Sequence, residues 1–276
     1  MSETILKVED LKTSFMTSSG EVQAVRGVSF EVHKGEILGI VGESGSGKSV
    51  TSMSILRLLA DTARIKNGKI EFEGTDLTKV SDKQMREIRG QKIAMVFQDP
   101  MTGTAATMQI EENLALAARR GKRRTLRIGI TKAEREQYRE LLKTLDLGLE
   151  DRLTARVGLL SGGQRQALTL LMATMNKPKL LLLDEHTAAL DPKTALKVLT
   201  LSARIVEENH LTTMMITHNM KDAIKYGNRL IMMHEGHIIY DVAGEEKQKL
   251  HVSDLLAKFQ IASGGEFAND RMILSN

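Results

Sequence analysis

Cysteine and tryptophan are missing from this chain of 276 residues, and aromatic residues make up only 3% of it. Without cysteine, neither disulfides nor thiolate metal sites can form. The hydrophobic core must therefore come from aliphatic side chains and from the 15 methionines. The length suits one large α/β domain or two small domains. The content of 41% hydrophobic and 27% charged residues is typical of a globular protein.

Long apolar runs are also missing. The run at residues 180–183 is among the longest, whereas a membrane-spanning helix needs roughly 20 apolar residues. The first residues lack the charged-then-apolar layout of a signal peptide. We therefore expect a cytoplasmic protein, and any role at a membrane would depend on a partner.

The formal net charge is only +4, and one dense basic cluster contributes to it. The cluster consists of Arg119, Arg120, Lys122, Arg123, Arg124 and Arg127. It could contact nucleic acid or lipid headgroups, or it could be a solvated loop between two helices. We favour the loop and expect no nucleic-acid partner, because no aromatic residues are interleaved for stacking on bases.

Strand and helix patterns alternate along most of the chain, which predicts an α/β fold with a mainly parallel sheet. The predicted strands are 5–15, 28–32, 36–41, 69–73, 92–97, 180–183, 212–216, 230–233 and 238–240, and the predicted helices are 48–60, 192–209, 220–226 and 254–259, with a further helix starting at Ser81. Residues 107–176 have an almost purely helical pattern. Thr107 and Thr131 are candidate N-caps in this block, which we interpret as an inserted helical subdomain.

A glycine-rich loop separates the predicted strand 36–41 from the predicted helix 48–60. Its residues Gly42, Glu43, Ser44, Gly45, Ser46, Gly47, Lys48 and Ser49 match the Walker A pattern at every fixed position. In such a loop the backbone amides surround phosphate oxygens. Lys48 is predicted to reach the β- and γ-phosphates, and the Ser49 hydroxyl to bind Mg²⁺. We therefore predict a nucleoside triphosphate site.

Two acidic residues follow the apolar strand at 180–183. Open α/β sheets place their ligands at the carboxyl ends of strands, so Asp184 is a candidate Mg²⁺ ligand. Glu185 is a candidate general base for the attacking water. Gln98 follows another predicted strand, and its amide could coordinate Mg²⁺ and the attacking water. His218 follows the strand after Asp184 and is a candidate γ-phosphate sensor.

A second candidate anion site lies at the start of a helix. Ser161, Gly162, Gly163 and Gln164 follow Leu160 and precede the helical pattern of residues 165–175. Exposed amides, a hydroxyl and the positive end of a helix dipole attract anions. Most such triplets are ordinary N-caps with flexible glycines, and only the accompanying motifs make this one specific.

Taken together and in this order, these motifs resemble those of the ABC ATPase family over about residues 4–243. The resemblance implies a P-loop NTPase (RecA-like) core with an antiparallel β subdomain and an inserted helical subdomain. The implied limits are 1–97 and 166–243 for the core, 98–165 for the helical subdomain and 244–276 for a C-terminal helical tail. It also implies that Phe15 stacks on adenine and that ATP and Mg²⁺ are the cofactors.

In the family, two such domains face each other, and the signature of one closes over the ATP held by the other. Ser161, Gly162 and Gly163 would then contact the partner's γ-phosphate, and Asp191 would lie at the dimer interface. We expect an ATPase subunit that powers solute transport, with a second ATPase subunit and integral membrane subunits as partners, at the inner face of the membrane. The alternatives are a non-transport ABC ATPase, a kinase or GTPase, or a domain that binds nucleotide without a transport partner.

The sequence departs from the family pattern at two places. His186 stands where the family usually has proline, and residues 166–169 lack a basic residue that many members carry. Residues 1–100 resemble oligopeptide and dipeptide importer ATPases, whereas residues from Met101 onward are similar to amino-acid-type importer ATPases. One hypothesis is a recombinant of two ABC ATPases joined near residues 97–102, and the alternative is natural divergence.

Overall fold

The computed structural model describes residues 3–121 and 129–263. The chain divides into two compact units. The first comprises Met1–Arg86, Leu182–Asp184 and Leu211–Asn276, and the second comprises Glu87–Leu181 and Glu185–His210. Lys122, Arg123, Arg124 and Arg127 of the basic cluster lie outside the described residues. Within the described ranges, no helix is both long and apolar enough to span a bilayer.

An antiparallel sheet forms one part of the first unit, with its strands in the order β2-β1-β4-β5. The strands are β1 (Thr4–Thr17), β2 (Gly20–His33), β4 (Ala63–Phe72) and β5 (Thr75–Asp76). The predicted strand 28–32 is only the end of β2. Residues 20–23 of β2 are exposed, so they lack the alternating pattern that a half-buried strand leaves in a sequence.

The parallel part of the first unit has the strand order β10-β9-β3-β8, followed by the end of β7. The strands are β3 (Ile37–Gly42), β7 (Leu180–Asp184), β8 (Thr213–Ile216), β9 (Arg229–His234) and β10 (His237–Ala243). β3 is parallel to both β8 and β9, and β10 is antiparallel to β9. The buried strands therefore end near Gly42 and Asp184, where the sequence predicted ligand-binding residues.

The helices of the first unit pack beside these strands. They are α1 (Lys48–Leu56), the first turn of α2 (Asp82–Ile88), α7 (Met220–Tyr226), α8 (Gly244–Gln248) and α9 (Val252–Ala262). The predicted extension of the first helix to residue 60 is wrong. Arg57 adopts a left-handed conformation (φ 51°), and its amide bonds to the carbonyls of Met53 and Ser54, which ends α1. Ser81 caps α2 with Gln84 as predicted: the Ser81 amide donates to Gln84 Oε1 at 2.9 Å.

The second unit is mostly helical, as predicted for residues 107–176. It contains β6 (Ile93–Val96), α3 (Ile110–Ala118), α4 (Lys132–Lys143), a 3₁₀ turn (Val157–Leu159), α5 (Gly162–Thr174), α6 (Pro192–Glu208) and the start of β7. Thr131 caps α4, as predicted, by accepting from the Glu134 amide at 3.2 Å. The N-cap prediction for Thr107 is wrong, because a β-bridge to Arg156 holds Gln109 in an extended conformation and α3 begins after it.

The implied subdomain limits stay predictions. The second unit already begins at Glu87 and includes α6, whereas the family pattern implies a helical subdomain of 98–165. In the predicted tail, α8 and α9 are described to residue 263. Phe259 of α9 is buried in the first unit's core with Val41, Met220 and Leu230, so this part of the tail is built into the fold.

Candidate functional site

The predicted phosphate loop connects β3 to α1, and two of its glycines are required by space as well as by backbone conformation. A Cβ on Gly42 (φ 153°) would lie 2.2 Å from the Met233 carbonyl oxygen. A Cβ on Gly47 (φ 97°) would lie 2.5 Å from the carbonyl oxygen of Ala24. Both atoms are backbone and cannot move aside, so only glycine fits at these two positions.

Lys48 lies at the centre of this loop. Its side chain is buried, and its ammonium donates to the carbonyls of Gly42 at 2.8 Å and Glu43 at 2.7 Å. Gly47 caps α1 without a side chain, so the helix start meets the loop with its amides and its positive dipole end. The loop thus combines a held cation with a helix N-terminus, and this arrangement fits a polyphosphate.

Ser49 and Asp184 are joined directly in the first unit. The Ser49 hydroxyl donates to Asp184 Oδ1 at 2.7 Å, and Asp184 is buried at the end of β7. Hydroxyl and carboxylate oxygens are the ligands that Mg²⁺ prefers, with water and phosphate oxygens completing its shell. Within residues 3–121 and 129–263, no three acidic or histidine side chains are grouped so that they could hold a metal ion by themselves. A metal at this place would therefore depend on the Ser49–Asp184 pair together with oxygens of a bound ligand.

Glu185 follows Asp184 directly and has an unusual backbone. Its φ is +47°, a region that non-glycine residues rarely adopt. The Ala188 amide donates to the Glu185 carbonyl at 2.9 Å and closes a turn around it. Positive φ at a non-glycine residue persists where the surrounding structure enforces it, which is frequent at functional sites. Gln98, two residues after the end of β6, is exposed.

The remaining predicted residues of the first unit are His218 and Phe15. His218 lies two residues beyond β8 and is half-buried. Burial raises the pKa of the nearby Asp222 carboxyl, and the positive charges of Lys225, His218 and Lys221 oppose this shift. Phe15 is half-buried on β1, between its register partners Val22 and Ala63.

The predicted signature is the start of α5 in the second unit. Ser161 is exposed and caps the helix: its Oγ accepts from the Gln164 amide at 3.3 Å. The Gln164 side chain returns the contact, since its Oε1 accepts from the Ser161 amide at 3.1 Å. Gln164 therefore holds the cap, whereas the Ser161 hydroxyl and the neighbouring amides lie at the helix start.

Gly163 is packed against α6 of the same unit. A Cβ on Gly163 would lie 2.0 Å from Thr194 Cγ2, whereas a Cβ on Gly162 would have only ordinary contacts, the nearest 3.4 Å from Leu190 Cδ2. Asp191 is the exposed N-cap of α6 and accepts from the Thr194 amide at 3.1 Å. Hydrogen bonds from the Thr194 hydroxyl and amide lower the pKa of Asp191.

Sequence reasoning missed a buried polar network around His186. His186 Nε2 lies 2.8 Å from Ser202 Oγ on α6. Gln166 of α5 donates from Nε2 to the carbonyls of His186 at 2.7 Å and Phe97 at 2.8 Å. Burial lowers the pKa of His186 to about 4, so the imidazole is neutral near pH 7. The sequence carries two weak signals for this network: His186 departs from the proline usual in the family, and Gln166 is a polar residue just after the signature.

The family model described as ABC transporter matches residues 25–188. The tyrosine transport ATP-binding protein of Clostridioides difficile is 39% identical over 94% of this chain and 100% of its own length. The dipeptide transport ATP-binding protein DppD of Bacillus subtilis is 40% identical over 85% of this chain and 69% of its own length. A solved dimer of the ATP-binding cassette MJ0796 bound to ADP and phosphate has a TM-score of 0.74 and 26% identity, over 87% of this chain and 98% of that one.

These comparisons confirm the predicted P-loop NTPase fold. Single relatives extend across both sides of residues 97–102, and the idea of a recombinant chain stays an unconfirmed hypothesis. A family model that covers more than half of the chain, relatives that match most of it and a phosphate loop closed around Lys48 lead to one conclusion: this chain belongs to the ABC transporter family, as an ATP-binding subunit that hydrolyses ATP.

Proposed function

We propose that the chain powers the import of peptide or amino-acid-type solutes, as one half of a head-to-tail ATPase dimer with Mg²⁺ at each site. The hydrogen bond of 2.7 Å between Ser49 and Asp184 carries the proposal, because it joins the end of the phosphate loop to the predicted Walker B carboxylate. The tyrosine and dipeptide transport proteins named above support the solute class by their printed names.

The nucleotide would be held mainly by the first unit. The loop amides and the Lys48 ammonium bind the β- and γ-phosphates, and Phe15 stacks on the adenine ring. Ser49 and Asp184 supply oxygen ligands for Mg²⁺, with the amide oxygen of Gln98 as a further ligand. When bound, Mg²⁺ neutralises charge on the phosphate oxygens and polarises the γ-phosphate.

The hydrolysis step assigns roles to Glu185 and His218. The Glu185 carboxylate accepts a proton from water as the water oxygen forms a bond to the γ-phosphorus. The bond between the γ-phosphorus and the bridging oxygen of ADP breaks, and Lys48 stabilises the negative charge that develops there. His218 donates a hydrogen bond to the γ-phosphate and thus distinguishes ATP from ADP.

A second subunit would complete each site. The chain has one phosphate loop and one signature. Ser161, Gly162, Gly163 and Gln164 would form the signature surface that meets the partner's γ-phosphate, and Asp191 would lie at the dimer interface. The dimer of MJ0796 bound to ADP and phosphate supports this arrangement. The segment after Gln98, together with α3 and α4, would dock an integral membrane subunit at the cytoplasmic face.

The test is the substitution Glu185→Gln. We expect turnover to fall at least about 100-fold because the general base is lost, while ATP binding is retained. Because the trapped ATP is not hydrolysed, size-exclusion chromatography with ATP and Mg²⁺ should show a dimer that the wild type forms only transiently. Glu73→Gln is the matched control, since Glu73 has the same residue type and a similar φ of 45° in a turn of the antiparallel sheet.

Two results would contradict the proposal. Unchanged hydrolysis by Glu185→Gln would remove the general-base role. An ATP-trapped protein that stays monomeric at all concentrations would exclude the head-to-tail dimer. Co-purification with a membrane subunit, followed by solute uptake in proteoliposomes, would separate an importer from an ATPase that transports nothing.

A further inference from the structure

A buried amide on the signature helix α5 lies between the segment that contains Gln98 and the segment that contains Glu185, the two residues proposed to act on the attacking water. Gln166 is fully buried on α5, and its Nε2 donates at 2.8 Å to the carbonyl of Phe97 and at 2.7 Å to that of His186. Phe97 immediately precedes Gln98, and His186 immediately follows Glu185. One side chain therefore joins the backbones next to both of these residues.

The orientation of this amide follows from its partners. Both neighbours are carbonyl oxygens, which only accept hydrogen bonds, so the NH₂ group of Gln166 must face them. In the described part of the chain Gln166 Oε1 is buried without a hydrogen-bond partner, which is costly. The Gln166 side chain is thus oriented so that both of its N–H groups donate to backbone carbonyls, and these bonds hold the backbone at Phe97 and His186 in place.

His186 is fixed from its other side by α6. The Ser202 hydroxyl donates to the Val198 carbonyl at 2.8 Å, so its single proton is already used. His186 Nε2, 2.8 Å from the same hydroxyl, must therefore carry the proton and donate to it. The residue after Glu185 is thus held by Gln166 through its carbonyl and by Ser202 through its ring.

Glu185 needs such support. Its φ of +47° is costly for a non-glycine residue and requires neighbours that enforce it. In many family members a proline at the next position restricts the backbone. Here the buried His186 takes that position and makes a directional hydrogen bond instead. The restraint that a proline ring would place on this backbone is therefore supplied by two hydrogen bonds. One joins the Gln166 side chain on the signature helix to the His186 carbonyl, and the other joins the His186 ring to Ser202.

We propose that Gln166 is a positioning residue, anchored through His186 and Ser202, that holds the backbones beside Gln98 and Glu185 in register with the signature helix. Gln166 lies one helical turn after Gly162, so a shift of α5 when its N-terminus meets the partner's nucleotide moves both segments. The inference rests on the proposed roles of Gln98 and Glu185. It adds a route from the signature to the residues that handle water.

The test uses Gln166→Met, which keeps the approximate volume and removes both donors. Thr174→Val is the matched control, because Thr174 is also buried on α5 and its hydroxyl donates to the carbonyls of Leu170 and Leu171 within its own helix. In the nucleotide-free protein, we expect amide hydrogen exchange in peptides covering 97–101 and 185–190 to be faster for Gln166→Met than for wild type. For Thr174→Val, we expect it to be unchanged. Unchanged exchange in either peptide would overturn the positioning role.

Kinetics separate positioning from a general loss of stability. We expect kcat of Gln166→Met to fall roughly 10- to 100-fold, with ATP affinity within about twofold of wild type because the phosphate loop is untouched. His186→Leu should lower kcat in the same way. His186→Gln, which can still place a donor near Ser202, should restore most of the rate. A loss confined to ATP affinity, or equal rates for His186→Leu and His186→Gln, would overturn the proposal.

Glu185→Gln, assayed in parallel, separates this inference from the proposed function. If Glu185→Gln is inactive but Gln166→Met turns over at the wild-type rate, the positioning role alone is wrong. If Glu185→Gln hydrolyses ATP normally, the general-base assignment is wrong and the inference is overturned with it.

Discussion

Gly163→Ala tests whether the second signature glycine is required by packing within one chain. The added Cβ would lie 2.0 Å from Thr194 Cγ2, and ordinary contact begins at 3.4 Å, so the two groups must separate by about 1.4 Å. Thr194 is in the first turn of α6, where its χ1 is restricted. Overpacking of this kind typically costs about 1–3 kcal/mol.

Gly162→Ala is a control that makes the same chemical change one residue earlier. Its Cβ would make only ordinary contacts, with Leu190 Cδ2 at 3.4 Å and Pro100 Cγ at 3.9 Å. Alanine is favoured over glycine in a helix by roughly 0.5–1 kcal/mol. We expect Gly162→Ala to leave the free energy of unfolding unchanged or slightly higher. Gly163→Ala should therefore be less stable than Gly162→Ala by about 1–3 kcal/mol in urea unfolding.

A second substitution identifies the cause. Thr194→Ser removes Cγ2 but keeps the hydroxyl near Asp191, so it removes the clash without removing the cap. In the Thr194→Ser background, Gly163→Ala should therefore lower the free energy of unfolding much less than it does in the wild type. Equal stability of Gly163→Ala and Gly162→Ala would contradict the steric explanation. So would a cost of Gly163→Ala that is the same with and without Thr194→Ser.

Two further predictions concern a lysine and a helix cap. Lys48→Ala should abolish measurable ATP binding in calorimetry, because the buried cation of the phosphate loop is lost; intact affinity with lost turnover would mean that the phosphates are misplaced. The Thr131 amide, Arg119 and the Thr131 hydroxyl lower the pKa of Glu134 to about 2, so its stabilisation is complete above about pH 4.5 and is lost as the pH falls towards 2. Glu134→Gln should lower the free energy of unfolding by about 1 kcal/mol at pH 7, allowing for solvent screening. In urea unfolding, this difference between wild type and Glu134→Gln should become smaller towards pH 3. A difference that does not change with pH would contradict the role given to the ionised Glu134 carboxylate.

The phosphate loop could be predicted from the sequence because its requirements are local. Gly42 and Gly47 must be glycine for steric reasons, and Lys48 and Ser49 follow at fixed spacing. The same holds for Asp184, which ends an apolar strand. Chemistry that depends on a few consecutive residues is visible in one stretch of sequence.

Boundaries set by competing local interactions could not be predicted. Thr107 is a good N-cap by residue type, but the bridge of Gln109 to Arg156 delays α3. Arg57 ends α1 in a left-handed conformation although no glycine is present. In both cases the deciding contact depends on backbone geometry that the local sequence does not specify.

The polar network around Gln166 was invisible for a different reason. The four residues of the network come from separate stretches of the second unit: Gln166 is on α5, Ser202 is on α6, and Phe97 and His186 follow the ends of β6 and β7. No spacing rule connects them. In the sequence, His186 is only a departure from the family pattern, and Gln166 is only an uncharged polar residue after the signature. Tertiary packing turns the two departures into one hydrogen-bonded group.

Thr194 connects two stretches that the family resemblance assigns to the dimer interface. Its methyl group meets the position of a Cβ on Gly163, and its amide donates to the Asp191 carboxylate at 3.1 Å. A side chain at 163 would therefore displace Thr194, whose amide hydrogen bond holds the Asp191 carboxylate in place. The signature glycine and Asp191 are thus coupled within a single chain. A substitution at Gly163 should disturb the position of Asp191 in the nucleotide-free subunit.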